Sequence, residues 1–147
     1  YVGRTFIKPK QSARESSVKI KLNVLKEVVC GKRVVMVDDS IVRGTTSDRI
    51  VSMLKKAGAK EVHVRISSPP FLHPCYFGTD VPDSDQLIAY NRTIEEIRQI
   101  IGADSLGYLK LERLPELTGG RQFCQGCFTG KWPIDPPKED IRGEYDA

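Results

Sequence analysis

Long hydrophobic runs are missing from this sequence, since no stretch reaches the about 18 apolar residues that a membrane-spanning helix needs. Histidine is scarce, with only His63 and His73, and we assign neither to catalysis. Four cysteines in 147 residues are too few to define a dense disulfide framework. The 23 Lys and Arg residues nearly balance 19 Asp and Glu residues, so the net charge of +4 allows an anionic ligand without requiring nucleic acid.

The sequence does contain the composition of a folded domain. Hydrophobic residues make up 39% and charged residues 29% of the chain. A length of 147 residues supports one core and is short for two ordinary domains. Because the first residue is Tyr1 rather than Met, we expect the chain to be a piece of a longer protein.

The clearest secondary-structure pattern lies between residues 34 and 66. Val34 to Val37 form a continuous β-branched and apolar run, which predicts a buried strand of a parallel sheet. A helix should follow, with Thr46 or Ser47 as its N-cap and Gly58 just after its end. Residues 61–66 alternate in polarity and predict a second strand. Strand, helix and strand together predict a right-handed βαβ unit and an α/β fold.

The rest of the chain gives weaker patterns. Residues 17–22 alternate and predict a short strand or extended loop. We expect helices over 83–87 and 93–101, the second capped by Thr93, a strand within 105–111 and a helical turn over 112–117. From Thr118 onward Gly and Pro are frequent, so we expect an irregular tail over 118–147 without a packed element.

The segment with the strongest chemical signal begins where the first strand ends. Asp38 and Asp39 stand at the carboxyl end of this strand, which is where ligands bind in open parallel sheets. Adjacent carboxylates repel each other unless a cation or hydroxyl donors share them, so Mg²⁺ or ribose hydroxyls suit this position. A glycine loop that opens a helix then presents backbone amides and a positive dipole end to a phosphate. The loop residues that we assign to phosphate binding are Ser40, Arg43, Gly44, Thr45 and Thr46.

This segment resembles the phosphoribosylpyrophosphate-binding signature of the type I phosphoribosyltransferases. The resemblance implies a Rossmann-like fold with a parallel sheet, of which the chain would be the distal part. It implies that Asp38 and Asp39 contact the ribose hydroxyls, directly or through Mg²⁺, and that the loop wraps the 5-phosphate. Residues 1–117 would then be a partial phosphoribosyltransferase domain, with the flexible-loop region at 1–22.

The flanking segments narrow the resemblance to the glutamine phosphoribosylpyrophosphate amidotransferase family. Similar stretches are residues 1–7, 18–23, 64–70, 73–78, 95–98, 101–106 and 127–131. The resemblance implies that glutamine-derived ammonia displaces pyrophosphate from phosphoribosylpyrophosphate, giving 5-phosphoribosylamine in the first committed step of purine synthesis. It also implies a cytoplasmic homo-oligomer with purine nucleotides as feedback inhibitors, and neither nucleic acid nor a membrane as partner. Arg4 matches a catalytic arginine of the flexible loop.

The cysteines form a second candidate site. Cys124 and Cys127 are a CxxC pair, which is a moderate signal for a metal or redox site, and Cys75 follows a His-Pro pair. Three thiolates are one short of the usual set for a 4Fe-4S cluster or structural zinc. The resemblance implies a 4Fe-4S cluster on Cys75, Cys124 and Cys127, with its fourth ligand outside this chain. Cys30 is better explained as a packing residue or a free thiol.

Two other functions share some of these features. A transcription regulator could use a phosphoribosyltransferase-like domain to sense phosphoribosylpyrophosphate without catalysis, but such regulators lack the cysteine set. A zinc-binding interaction module would explain the CxxC pair but not residues 38–46. Under the amidotransferase interpretation, the glutaminase domain and the first strands of the sheet are absent from these residues. We therefore expect an exposed sheet edge and apolar faces, and either self-association or a proteolytic remnant that stayed packed. We also expect no glutamine-dependent activity of this chain alone.

Overall fold

Three parallel strands form one sheet in the order β1-β2-β3. The computed structural model describes residues 24–78, 81, 83–121 and 123–136. Arg4 and the possible strand at 17–22 lie outside these described residues. The elements are α1 (Lys26–Val29), β1 (Arg33–Asp38), α2 (Thr45–Lys56), β2 (Glu61–Ile66), a 3-10 turn (Ser84–Gln86), α3 (Ile94–Ile100), β3 (Ser105–Tyr108), a 3-10 turn (Leu111–Arg113), α4 (Leu114–Leu117) and α5 (Gly126–Thr129).

The sequence prediction of a β-α-β unit is confirmed. β1 pairs with β2 in parallel from Arg33 opposite Glu61 to Asp38 opposite Ile66, and α2 connects the two strands. β3 then pairs with β2 in parallel, and is shorter than the predicted segment 105–111. None of the described helices is long and apolar enough to cross a membrane.

The hydrophobic core lies between one face of the sheet and helices α2 and α3. It is built from β2, α2, the segment before α3, and α3 with the turn after it. Its most buried members include Val51, Val62, Val64, Ile97 and Ile101, each at most 1% exposed. Full burial of a side chain of this size contributes about 1.5–3 kcal/mol to the stability of the fold. Packing on this face therefore fixes the strands and the loops that follow them.

The prediction that β1 is buried is only half right. Its burial alternates, and on the face away from the helices Val35 is 61% and Val37 is 72% exposed. Among the described residues β1 has a neighbouring strand on one side only. A continuous apolar run is typical of a strand that is covered on both faces, and here the described residues cover one.

Polar side chains occupy the same uncovered face of β2 and β3. The ring of His63 contacts Glu61 Oε2 through Nε2 at 2.9 Å and Ser105 Oγ through Nδ1 at 2.9 Å. Arg65 donates from Nη1 to the same Ser105 oxygen at 3.0 Å. His63 is therefore a part-buried link between two strands.

The two main helices begin differently. α2 starts at Thr45 with Gly44 as its N-cap, so the prediction of Thr46 or Ser47 is wrong. Gly44 has φ +81°, a left-handed conformation that glycine adopts at little cost, and it turns the chain into the helix two or three residues before the predicted start. α3 starts as predicted after Thr93, which forms a reciprocal capping box with Glu96.

Two expectations for the remaining chain need correction. The helix expected over 83–87 is a three-residue 3-10 turn. The tail after Thr118 does contain packed structure, because α5 contacts residues 71–73 through backbone and ring contacts, and Trp132 after it packs on Tyr76. Composition suggested an irregular tail, but glycine at residue 126 permits close packing against a tryptophan instead.

Candidate functional site

The acid pair lies where β1 ends, at the carboxyl edge of the sheet. The carbonyl oxygen of Asp38 accepts hydrogen bonds from the Ser67 amide at 3.0 Å and the Ser67 hydroxyl at 3.2 Å. The Asp39 amide donates to Asp38 Oδ1 at 3.0 Å, and the Ser40 hydroxyl donates to Asp39 Oδ1 at 3.0 Å. These bonds fix the backbone of the pair and leave further carboxylate oxygens for a cation or hydroxyl groups.

The two carboxyl groups of the pair have different surroundings. Asp38 is half-buried and Asp39 is exposed. Burial raises the pKa of Asp38, and the neighbouring Asp39 charge raises it further, although the hydrogen bond from the Asp39 amide acts in the opposite direction. A cation between the carboxylates would relieve both unfavourable effects, so the site is electrostatically suited to bind one.

The loop after the acid pair is anchored in the core and then turns into α2. The side chain of Ile41 is 2% exposed, and the Val42 carbonyl accepts a hydrogen bond from the Ile88 amide at 2.8 Å. Gly44 packs so closely on Ile88 that a Cβ at Gly44 would overlap its Cδ1 atom. The Gly44 carbonyl accepts the first helical bond, from the Asp48 amide at 2.9 Å.

The start of α2 supplies the donors that a phosphate needs. The first amides of a helix lack intrahelical acceptors, so those of Thr45 and Thr46 are available for an anion, and the helix dipole favours negative charge there. The Thr45 side chain is exposed and the Thr46 side chain is half-buried. The structure therefore brings all the predicted binding residues from Asp38 to Thr46 onto one strand end, loop and helix start.

Sequence reasoning missed the residues that support this loop from behind. Gln86 Oε1 accepts hydrogen bonds from Arg43 Nε at 3.2 Å and Nη2 at 3.0 Å. Ile88 and Ser67 also contact the loop, as described above. Gln86 and Ile88 belong to none of the stretches that carry the resemblance, and their sequence distance from the loop gives no signal that they meet it.

The structure also brings three cysteines into one neighbourhood. Burial raises the pKa of the Cys127 thiol, and the nearby thiols of Cys75 and Cys124 raise it further. In the part of the chain that the structure describes, no three His, Cys, Asp or Glu side chains are arranged so that they could hold a metal ion. Cys30 is an exposed free thiol beside Gly58, and it is not among the thiols that raise the pKa of Cys127.

Backbone and aromatic contacts hold the cysteine region together. The Cys127 carbonyl accepts hydrogen bonds from the amides of Leu72 at 2.9 Å and His73 at 3.0 Å. Trp132 lies over Gly126, with its ring centroid 5.4 Å from that of Tyr76. These contacts place α5 and Trp132 beside the segment that contains Cys75.

The fold is that of the type I phosphoribosyltransferases, and two solved structures match it closely. Glutamine phosphoribosylpyrophosphate amidotransferase from Bacillus subtilis, solved in complex with ADP and GMP, is 54% identical with a TM-score of 0.76, and the match covers 96% of this chain and 32% of that chain. A structure of the allosteric regulatory enzyme of purine biosynthesis is also 54% identical, with a TM-score of 0.76 and coverage of 95% and 31%. No protein-family model matches the chain.

Curated relatives give the same result. Amidophosphoribosyltransferase from Archaeoglobus fulgidus is 58% identical over 144 residues, covering 95% of this chain and 32% of the relative. The Bacillus subtilis enzyme is 57% identical over 92% of this chain and 30% of its own length. The chain is thus homologous over nearly its whole length to part of the amidophosphoribosyltransferases, and it spans about a third of these two relatives.

Proposed function

We propose that the chain is the distal part of the phosphoribosyltransferase half of an amidophosphoribosyltransferase. In the parent protein, ammonia released from glutamine would displace pyrophosphate from C1 of phosphoribosylpyrophosphate and give 5-phosphoribosylamine. This is the entry step of purine nucleotide synthesis, in the cytoplasm. The observation that carries the proposal is the acid pair at the end of β1, followed directly by the loop through Gly44 into α2.

The arrangement suits a reaction in which positive charge develops on the sugar ring. When pyrophosphate leaves, C1 becomes oxocarbenium-like, so the protein mainly positions groups and balances charge. Asp38 and Asp39 would hold the ribose hydroxyls and place negative charge near the ring. The amides of Thr45 and Thr46, with the Ser40 hydroxyl and the Arg43 guanidinium, would hold the 5-phosphate. The sugar is then fixed at both ends.

Magnesium fits the acid pair. Mg²⁺ is commonly bound by one or two carboxylates together with substrate phosphates, so two side chains are enough and a closed protein cage is not required. When bound, it would supply positive charge to the pyrophosphate leaving group. Asp38 and Asp39 are the residues that would hold it, and the unfavourable environment of the Asp38 charge supports this assignment.

The cysteine neighbourhood fits a 4Fe-4S cluster in the kind of ligand it offers. Cys75, Cys124 and Cys127 would supply three thiolates, and a fourth ligand would come from elsewhere in the parent protein. When bound, the cluster would act as a structural link between α5 and the preceding loop. The cysteines favour the enzyme over a regulator that only senses phosphoribosylpyrophosphate, and the names of the relatives support the same choice.

The partners of the parent protein follow from the same proposal. Glutamine would be the source of ammonia, and Arg4 would act from the flexible loop in closing the site. Purine nucleotides would be feedback inhibitors, which the ADP and GMP bound to the Bacillus subtilis structure support. The parent protein would be a homo-oligomer. A glutaminase assay of the 147-residue chain alone should give no turnover above a blank. Clear turnover would contradict the proposal that glutamine is hydrolysed by another part of the parent protein.

The substrate site can be tested by calorimetric titration of the chain with phosphoribosylpyrophosphate and Mg²⁺. Saturable binding is expected, and Asp39→Asn should weaken it by at least roughly tenfold because it removes a charged oxygen ligand. Asp135→Asn is the matched control, since it makes the same change at an exposed acid in the tail. Equal affinity of both variants would contradict the assigned role of Asp39.

The cluster can be tested by iron and sulfide analysis of the chain purified without oxygen. Cys127→Ser should lower any bound iron and sulfide, whereas Cys30→Ser, a matched change at the exposed thiol, should leave both unchanged. Zinc in a colourless protein would contradict the cluster assignment. Since one ligand lies outside the chain under this proposal, bound iron should be substoichiometric and sensitive to oxygen.

A further inference from the structure

The segment at residues 84–88 forms a wall behind the phosphate loop. It contacts three consecutive loop residues: the Ile88 amide bonds the Val42 carbonyl, Gln86 bonds the Arg43 side chain, and the Ile88 side chain packs on Gly44. The wall itself is firmly held, because Leu87 is 0% and Ile88 is 4% exposed. A loop contacted at three successive positions by a segment that is anchored by two buried side chains has little freedom to change shape.

We infer that Gln86 and Ile88 are positioning residues that hold the loop in its phosphate-binding shape before any ligand arrives. The inference rests on the proposed function, because it concerns the same phosphate site. Neither residue is assigned to contact substrate. Gln86 acts through Arg43, and Ile88 acts through the backbone of Val42 and Gly44.

The contact between Gln86 and Arg43 determines which part of the guanidinium can meet a ligand. A guanidinium has five N–H donors in a planar fork. Gln86 Oε1 accepts one hydrogen bond from Nε and one from Nη2, so three N–H donors remain for an anion, two on Nη1 and one on Nη2. Since an arginine side chain carries about 2 kcal/mol of rotamer entropy, holding it in place beforehand favours binding.

Ile88 determines the backbone shape at the point where the loop becomes a helix. Gly44 is in the left-handed conformation, and the Ile88 side chain fills the space that a side chain on Gly44 would occupy. The bond from the Ile88 amide to the Val42 carbonyl fixes the residue on the other side of Arg43. Arg43 is therefore held from its side chain and from both backbone neighbours.

The first test uses the ligand-free chain and does not depend on the proposed function. The Arg43 Nε–H resonance is followed by NMR, assigned by its loss in Arg43→Lys. Gln86→Ala should accelerate its hydrogen exchange by roughly tenfold, since a protecting hydrogen bond is removed. Gln86→Glu, which keeps the acceptor, should restore slow exchange, and the control Gln99→Ala should have no effect. Unchanged exchange in Gln86→Ala would overturn the inference for Gln86.

The second test measures affinity for phosphoribosylpyrophosphate with Mg²⁺ by calorimetry. Gln86→Ala should weaken binding by roughly fivefold to twentyfold while Tm stays within about 2 °C of the native value, since the two hydrogen bonds that are lost are exposed. Ile88→Val should weaken binding less, because the amide bond to Val42 is kept. Native-like affinity of Gln86→Ala would overturn a role in binding. Failure of the native chain to bind would count against the proposed function instead, and the NMR result would still decide whether Gln86 holds Arg43.

Discussion

Gly44 and Ile88 fit together with no space for a side chain between them. The Cα of Gly44 faces the Ile88 side chain, and Gly44 has φ +81°. The two requirements are independent, since one is steric and the other concerns the backbone conformation. Together they explain why glycine stands at the point where the phosphate loop opens α2.

Gly44→Ala should therefore destabilise the chain by about 1–3 kcal/mol, through overlap with Ile88 and left-handed strain together. Thermal or urea unfolding measures this change. Gly119→Ala is the matched control, because Gly119 has φ +62° but nothing within 4 Å of its added Cβ. The control isolates the backbone contribution, which should be about 1 kcal/mol. Equal losses in both variants would show that Ile88 does not restrict Gly44.

Asp38→Asn should raise the stability of the fold at pH 7 and abolish ligand binding. Because the pKa of Asp38 is raised in the fold, chiefly by burial, its ionised form is disfavoured there. The charge therefore destabilises the fold at pH values above the raised pKa, and this effect disappears as pH falls below the unfolded pKa. The variant should have a higher Tm than the native chain at pH 7, an equal Tm near pH 3, and no saturable binding of phosphoribosylpyrophosphate with Mg²⁺.

The control for this prediction is Asp135→Asn, which removes an exposed charge and should leave Tm unchanged at both pH values. A lower Tm of Asp38→Asn at pH 7 would mean that the carboxylate stabilises the fold. In that case hydrogen bonding at the strand end, rather than burial, would dominate its pKa.

Thr93→Ala should destabilise the chain by about 1 kcal/mol, because the N-cap of α3 is lost. The Thr93 hydroxyl accepts a bond from the Glu96 amide at 3.2 Å, and Glu96 Oε2 accepts one from the Thr93 amide at 2.7 Å. Thr93→Ser keeps the cap and should be nearly neutral. Binding of phosphoribosylpyrophosphate should be unchanged in both, since the cap contacts no loop residue.

The effect of this capping box should depend on pH. Hydrogen bonds from the Thr93 amide and hydroxyl lower the pKa of Glu96, so its carboxylate stabilises the fold above the unfolded pKa. This stabilisation is lost as pH falls through the lowered pKa. The difference in Tm between native chain and Thr93→Ala should therefore shrink in acid. Thr93→Ala keeps the backbone amide at residue 93, so a difference that stays constant from pH 7 to pH 2 would contradict a contribution from the bond between the Thr93 hydroxyl and Glu96.

The exposed face of β1 should cause self-association of the 147-residue chain. The exposed side chains at alternate positions are those of Arg33, Val35, Val37 and Asp39. If the free edges of β1 in two copies pair in antiparallel orientation, Val35 lies opposite Val37 and Arg33 opposite Asp39. Sedimentation equilibrium should show a dimer that Val37→Lys shifts toward monomer. Leu117→Lys, at an apolar residue 67% exposed and outside the sheet, should leave association unchanged. A native chain that is monomeric at all concentrations would contradict this prediction.

Local pattern was enough to predict the elements that position the site. β1, α2, β2 and α3 each carry their own signal, as a β-branched run, a helical spacing with Gly58 behind it, an alternation and a capping box. The acid pair and the glycine loop are consecutive in the chain, so their chemistry could be inferred before the fold was known. The CxxC spacing pairs Cys124 with Cys127, whereas only the family resemblance implied that Cys75 joins them in a cluster site.

Contacts between distant residues could not be predicted in the same way. Gln86 lies 43 residues from Arg43, and neither the residue types nor their spacing predicts that they form a hydrogen bond. α5 was missed because glycine-rich composition is typical of loops, whereas the glycine at residue 126 serves to seat Trp132. The exposure of Val35 and Val37 was missed because an apolar strand does not say how many of its faces are covered.

The sequence by itself determined the phosphate loop and the strand and helix that flank it, because hydrogen bonding and backbone conformation there depend on neighbours within a few residues. Only the tertiary structure decided what stands behind that loop, which cysteines come together and which face of the sheet stays open. Those outcomes depend on which buried surfaces of distant segments pack against each other. Such contacts produce no periodic pattern in the sequence.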